Sequence, residues 1–330
     1  MILTPLAAGC SDGTSREVVV YTALDEDFSL PIFAEFTRET GIEVLAKYDS
    51  ESTKSVGLTQ AILAEREHPR CDVFWNNELV NMLRLQQADL LQEYDSPVGG
   101  SYPAAYRDAD GAWYGFAARA RVLIVNTDLL AEGERPDSIL DLADDAWAGR
   151  CAIAKPLAGT TATHAACLFA AWGAERAEEY FRGVKANAAV LAGNKHVALA
   201  VASGRYAFGL TDTDDAIIEV ERGAPVAIVY PDQGEGQLGT LFIPNTLGII
   251  RGAPHAREAE ILVDYLLSPA VEGRLAAGPS AQIPLNPAVA EPPRVESPRT
   301  VRPMEVDFAA GADVWGRAAR FLRDEFATAD

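Results

Sequence analysis

Short apolar runs of strand length alternate with helix-length apolar stripes in this chain, and the alternation starts afresh near its middle. Arg16–Thr22 (REVVVYT) is an apolar run ending in a polar loop, as a buried parallel strand does. Ser29–Thr40 carries Ile32, Phe33 and Phe36 on one helical stripe that Gly41 stops. Ile42–Tyr48 alternates as a strand, Thr53–Glu67 is helical, Cys71–Trp75 is a third strand and Asn77–Ala88 a third helix. Strand and helix alternating at this spacing build a doubly wound parallel sheet, with ligand groups on loops after the strands' carboxyl ends. After a long apolar strand, Ala118–Asn126, the pattern repeats: strand Cys151–Ala154, loop Lys155–Thr161, then helices Ala162–Trp172, Ala177–Lys185 and Lys195–Ser203. Strand Tyr206–Thr211 ends in an acidic loop, and Val226–Tyr230 and Thr240–Ile250 are further strands. Glu258–Leu267 is a helix that Ser268-Pro269 ends, Glu291–Pro303 an extended proline-rich crossing, and Val306–Phe326 a terminal helix.

A chain of 330 residues is too long for one ordinary core and suits two α/β lobes with a cleft where the chain crosses between them. The expected division is a leader and tether over 1–15, a first lobe of 16–121 plus 242–288, and a second of 122–241 plus 289–330.

Charge and motifs remove several classes of function. With 28 basic against 48 acidic residues the net charge is −20, a field that repels phosphate backbones, so nucleic acid is not an expected partner. No stretch of 18 apolar residues is present to span a bilayer. There is no P-loop, no G-x-S-x-G and no H-E-x-x-H, and Gly234–Gly239 matches G-x-G-x-x-G but precedes a strand rather than a helix. The four histidines, His68, His164, His196 and His255, are scattered and are assigned no role. A hydrolase using two carboxylates remains a remote alternative, and a scaffold role in a surface complex a third.

Leu6-Ala7-Ala8-Gly9-Cys10 looks like a bacterial lipobox, with Cys10 expected to carry the lipid and Ser11–Ser15 to form a polar tether. Met1–Pro5 lacks a basic n-region, so either the true start lies further upstream or the lipobox match is chance. Cys151 and Cys167 read as small core residues, and no cysteine–histidine spacing suits structural zinc.

The stretch Val18–Val44 (VVVYTALDEDFSLPIFAEFTRETGIEV) resembles the opening of ferric-ion-binding-type periplasmic proteins, the solute-binding subunits of iron(III) ABC importers. The resemblance continues through Asp72–Glu78 (DVFWNNE), Ala118–Leu130, Lys155–His164 (KPLAGTTATH), Gly204–Ala216 (GRYAFGLTDTDDA), Asn245–His255 and Gln282–Pro287, covering nearly the whole chain in order. It implies an α/β, two-lobed group II periplasmic-binding fold that closes on a small solute and catalyses nothing. It also implies a monomer working with an ABC permease and ATPase, outside the cytoplasm, tied to the membrane by lipid alone. No cofactor is required; the transported ligand is expected to be a metal ion, Fe³⁺ or a divalent cation, with a small anion. Carried over by position, Asp25 stands where the iron binders place a histidine, and Glu78 matches their glutamate. Their paired tyrosines fall in Thr211–Asp215 here, where neither tyrosine is present, a departure that counts against iron itself.

The residues allow two ligand classes. Asp212, Asp214 and Asp215 follow a strand's carboxyl end and offer hard oxygen donors for a cation, although Asp212 or Asp214 equally suits a helix N-cap. With Asp25 and Glu78 from the other lobe they make a metal site on closure, with Asp25, Glu78 and Asp214 the leading ligands. Gly159, Thr160 and Thr161 precede a helix and suit an anion, which the resemblance makes the family's bound anion, or a plain cap. Arg119 and Arg121 share one strand face and suit a carboxylate or phosphate, or a lobe-to-lobe salt bridge. Tyr21, Asn76, Asn77 and Asn245 are expected to line the cleft, Tyr21 as a phenolate ligand or a stacking ring, and Trp75 is read as core. The missing tyrosine pair and these arginines favour the second class, an organic or phosphorus-containing solute.

Overall fold

A computed structural model describes residues 16–49, 55–290 and 292–327. Cys10, its lipobox and the tether lie outside the described residues. In chain order the elements are β1 (Glu17–Thr22), α1 (Glu26–Thr40), β2 (Glu43–Tyr48), α2 (Val56–Ala64), β3 (Val73–Asn76), α3 (Val80–Gln87), β4 (Leu91–Gln92) and β5 (Tyr114–Asn126). They continue with β6 (Cys151–Ala154), α4 (Gly159–Trp172), α5 (Ala174–Asn187), β7 (Ala188–Leu191), α6 (Asn194–Ala202), β8 (Phe208–Asp212), α7 (Thr213–Glu221) and β9 (Val226–Val229). The last are β10 (Phe242–Ile250), α8 (Ala256–Leu266), α9 (Pro269–Ala277) and α10 (Phe308–Phe326).

Among the described residues the strands run in the order β2-β1-β3-β10-β5-β8-β6-β7, with β4 beside β10 and β9 beside β5. The outer strands pair in parallel on both sides, β1 with β2 and β3, and β6 with β7 and β8. The two-lobed character is written into β5. Its first part, Tyr114–Ala120, pairs antiparallel with β10, and its second part, Arg121–Val125, pairs antiparallel with β8. One long strand thus belongs first to one half of the sheet and then to the other. Every residue of β5 and β10 is buried, as a strand covered on both faces requires.

Each half packs its own core. Val18, Val20, Phe36, Val73 and Trp75 are buried with α8 in the first half, where Trp75 lies edge-on to Phe33 as a core ring should. Ile153, Phe169, Phe181 and Phe208 are buried with α10 in the second. Trp315 and Ala312 of α10 also pack with Leu79 and Val80 of the first half and Ala162 and Ala166 of α4. The terminal helix therefore touches both halves. Cys71, Cys151 and Cys167 are buried free thiols, and burial pushes the Cys151 thiol up to about 12. No described helix is long and apolar enough to cross a membrane.

Within the first part of β5, where its register with β10 shifts, Ala117 has a φ of +43°, in the left-handed region that costs a residue with a Cβ. Fully buried Glu272 holds it there, accepting Ala117 N–H at 2.6 Å together with the amides of Leu285 and Asn286. Burial raises the Glu272 carboxyl pKa, and the three amides oppose that rise.

Several helices begin earlier than expected, and three of the differences matter for the site. α1 opens at Glu26 rather than Ser29, α4 at Gly159 rather than Ala162, and α7 at Thr213, inside the segment read as an acidic loop. The polar clusters read as loops are helix N-termini, where Asp, Thr and Gly are favoured for capping and for fitting the first turn. The short strand β7 and the helix α9 were not expected. Ser268 does not only end α8; its hydroxyl caps α9, with Pro269 in the first turn where its missing N–H costs nothing.

Candidate functional site

Five strand-to-helix junctions converge between the halves of the sheet. Asp25 precedes α1 and Asn77 follows β3 on one side; Gly159 and Thr160 open α4, Asn194 opens α6, and Asp212, Asp214 and Asp215 span the β8–α7 junction on the other. Together with Ala23, Leu24, Phe28 and Arg119 they line a narrow pocket of about 30 Å³. Asp25 also borders a larger outer chamber with Glu26, Asp27, Tyr48 and Asp49 on one lip and Lys195 and His196 on the other.

Behind the pocket wall lies a closed polar knot. Arg121 and Asp212 are register partners on β5 and β8, and Arg121 Nη1 donates to Asp212 Oδ1 at 2.7 Å. The same guanidinium donates to Thr160 Oγ1, Asn194 Oδ1 and Thr161 Oγ1. Asp212 Oδ2 accepts from Thr160 Oγ1 at 2.6 Å and from Asn194 Nδ2 at 2.9 Å, and Thr161 Oγ1 donates to Asn194 Oδ1. Such a network satisfies a buried charge pair that would otherwise be costly. Its members are engaged with one another, so Arg121, Asp212 and both threonine hydroxyls hold the wall in place. By the expected division both arginines pair across the lobes, Arg121 with Asp212 at 2.7 Å and Arg119 with Asp214 at 3.5 Å.

Arg119, two residues away, is held loosely. Its Nη2 donates to Asn245 Oδ1 at 2.8 Å, its Nε lies 3.5 Å from Asp214 Oδ2, and Nε is buried without a hydrogen-bond partner. Asp214 Oδ1 accepts the Asp215 amide at 3.1 Å, and one oxygen from each of Asp212, Asp214 and Asp215 lies within 4.8 Å of the others. Asn77 is 3 % exposed and its Oδ1 has no donor. α4 has no side chain capping its first turn, so its leading amides are left to the pocket. Gly159 at the head of that turn has φ +59°, which a glycine adopts without cost.

Of the residues expected at the cleft, Asp25, Asn77, Arg119, Gly159, Thr160, Asp212, Asp214 and Asp215 meet around this pocket, and Tyr21, Glu78, Arg121 and Thr161 do not line it. Tyr21 packs with Leu58 and Ile62 of α2 and donates to Glu65 Oε2 at 2.9 Å, with Lys47 Nζ 4.1 Å from its ring centre. Burial first, and the Glu65 carboxylate second, push its hydroxyl pKa well up, so it holds its proton. Glu78 is fully buried and serves α3: its oxygens accept Asn81 N–H, Asn76 Nδ2 at 2.5 Å and, from α4 in the other half, Thr163 Oγ1 at 2.6 Å. Asn76 and Asn245 are likewise tied into the fold. Asn194 was missed; the signal was Gly193-Asn194 at the end of β7, the strand whose absence hid the junction.

A family model described as bacterial extracellular solute-binding protein matches residues 73–310. The chain belongs to that family. Iron uptake protein A1 of Synechocystis sp. is 28 % identical to this solute-binding protein over 294 residues, 84 % of this chain and 80 % of the relative. Iron-bound HitA from Pseudomonas aeruginosa superposes with a TM-score of 0.85 at 23 % identity, over 94 % of this chain and 99 % of that one. AfuA from Actinobacillus pleuropneumoniae, solved with fructose-6-phosphate, superposes with a TM-score of 0.83 at 21 % identity, over 96 % of this chain and 100 % of that one. The two structural likenesses establish a common fold. They do so across cargoes as unlike as a metal ion and a sugar phosphate.

Proposed function

We propose that this solute-binding protein is the receptor subunit of a bacterial ABC importer, and that its cargo is a metal ion gripped by carboxylates between the two halves. The observation that carries this reading is the gathering of carboxylates at the pocket. Asp212, Asp214 and Asp215 each bring an oxygen to within 4.8 Å of the others, and Asp25 lines the same pocket from the other half. Carboxylate oxygens are hard donors suited to Fe³⁺ or to Mn²⁺, Ca²⁺ and Mg²⁺. The name of the Synechocystis relative points to iron. The amides of Gly159 and Thr160 at the head of α4 then suit a small anion bound beside the metal.

In this reading 16–121 plus 242–288 and 122–241 plus 289–330 move as two lobes about the β5–β10 crossing, and closure presents the loaded protein to a permease. It works as a monomer outside the cytoplasmic membrane, held there through lipid on Cys10, and performs no chemistry on its cargo.

A second reading, a phosphorylated organic solute, is favoured by Arg119 with its unpartnered Nε beside the uncapped α4 and by the ligand of AfuA. Titration calorimetry with ferric citrate, Mn²⁺, Ca²⁺ and fructose-6-phosphate, with elemental analysis of the protein as purified, separates the two. Micromolar or tighter metal binding with no heat from the sugar phosphate supports the metal. The reverse pattern sinks it.

A further inference from the structure

The metal reading leaves one question that the pocket itself addresses: which residue of the first half completes the grip, given that Glu78 is turned away. Both Glu78 oxygens are taken up by Asn76, Asn81 and Thr163, and Glu78 does not line the pocket. The residue before it, Asn77, does. Its backbone N–H is settled on Asn76 Oδ1 at 3.0 Å, whereas its side-chain Oδ1 is sealed from solvent with no donor in reach. A buried amide oxygen without a partner is uncommon in a folded protein and calls for one that arrives from elsewhere. Across the pocket stand the aspartates of the β8–α7 junction, whose oxygens already lie close together. A cation placed among them has a neutral, hard carbonyl oxygen facing it from the opposite half.

Resting on the metal reading, we infer that Asn77 is a direct ligand of the cargo, its Oδ1 entering the coordination shell with Asp214 and Asp215. Amide oxygens are ordinary partners of carboxylates around hard cations. Because Asn77 and the aspartates sit on opposite halves of the sheet, the ion that joins them also fastens the pocket shut. No tyrosine lines the pocket among the described residues, and the Tyr21 hydroxyl is held by Glu65 elsewhere. The shell is therefore made of carboxylate and amide oxygen and lacks phenolate. Exchanging an anionic ligand for a neutral one also lowers the charge the site presents, which weakens its hold on a trivalent ion more than on a divalent one.

The test uses the wild type, Asn77→Ala, Asn77→Asp and Glu78→Gln, titrated with Mn²⁺ and with Fe³⁺ supplied as its nitrilotriacetate chelate, and melted by circular dichroism without metal. N77A is expected to bind both ions at least tenfold more weakly at an unchanged melting temperature. N77D, nearly isosteric, is expected to regain binding and to favour Fe³⁺ over Mn²⁺ by at least tenfold more than the wild type does. Iron-loaded wild type is expected to lack phenolate-to-iron absorption in the visible. N77A binding like the wild type, or E78Q losing more affinity than N77A, overturns the assignment while the metal reading stands. A wild type that takes no metal overturns both, and if N77A does not fold, N77D without any change in ion preference overturns the assignment alone.

Discussion

Arg119 and Arg121 leave the same face of β5 two residues apart, and the fold puts them to opposite uses. Arg121 is completely buried and donates to four side chains, among them the Asp212 carboxylate at 2.7 Å. Arg119 is nearly as buried but has one firm bond, to Asn245, and a distant carboxylate in Asp214 at 3.5 Å. Residue type, strand face and burial do not distinguish the two. What distinguishes them is whether their partners are already used up. Both leave a buried Nε without a hydrogen bond. Arg121, however, spends its terminal nitrogens on four side chains and a tight carboxylate pair that is part of the frame, whereas the longer Arg119–Asp214 pair at the pocket wall has interactions to give to a ligand.

The largest consequence concerns removal of each arginine. Arg121→Met strands Asp212 in the interior with only Thr160 and Asn194 as donors, and breaking a buried pair in this way costs about 3–5 kcal/mol. Arg119→Met takes from Asp214 only a 3.5 Å contact and leaves it the Asp215 amide, and is expected to cost about 1 kcal/mol, in the ordinary range of single substitutions. Urea unfolding of the two variants measures both. Equal midpoints would erase the distinction between frame and wall.

Next in size is a pH effect on the frame alone. His164 of α4 is buried, and burial first, then the charge of Arg121, lowers its pKa from 6.5 to about 3. The unfolded chain therefore takes up a proton near pH 6.5 while the folded chain refuses it. Stability from this group is intact above pH 6.5 and is lost as pH falls toward 3. Between pH 7 and pH 5 the loss is about 2 kcal/mol, and the difference in acid sensitivity between wild type and His164→Leu reads it. A variant that loses stability as steeply as the wild type would show that His164 is protonated in the fold.

Smaller again is the one bond tying Glu78 to α4. Thr163→Val removes a donor from a buried carboxylate and is expected to cost about 1–2 kcal/mol. A double-mutant cycle with Glu78→Gln checks that the loss belongs to this pair.

The same contrast explains how much could be read from the amino-acid sequence. The strands were legible because buried parallel strands are continuous apolar runs: Arg16–Thr22 and Cys151–Ala154 fall where β1 and β6 lie. The places where ligand groups gather were legible too, since Asp25, Asn77 and Asp212–Asp215 end strands, and such ends converge in this architecture. What could not be read is which polar atoms are already spoken for. Tyr21 is claimed by Glu65, 44 residues away, Glu78 by Thr163, 85 away, and Arg121 by Asp212, 91 away. Those partners are brought together by packing and leave no trace in local spacing. Helix starts were blurred for a related reason: Asp, Thr and Gly are favoured both in loops and in first turns, so the openings of α4 and α7 read as loop.

The smallest effect belongs to Asp215, and it sharpens the comparison within a single junction. Asp212 ends β8 and is locked to Arg121, whereas Asp215 sits in the first turn of α7, partly exposed. A carboxylate there interacts favourably with the helix's amide end, worth about 0.3–1 kcal/mol and screened by salt. Asp215→Asn is thus expected to cost about half a kcal/mol at low ionic strength, a loss that fades as salt is added. Asp212→Asn, which leaves the Arg121 charge buried without its counter-ion, is expected to cost several times more, about 3 kcal/mol or above, with little response to salt. Unfolding both variants in urea at 20 mM and 500 mM NaCl tests size and salt response together. A large, salt-insensitive loss in Asp215→Asn would move that residue from the pocket wall into the frame and count against its meeting cargo on closure.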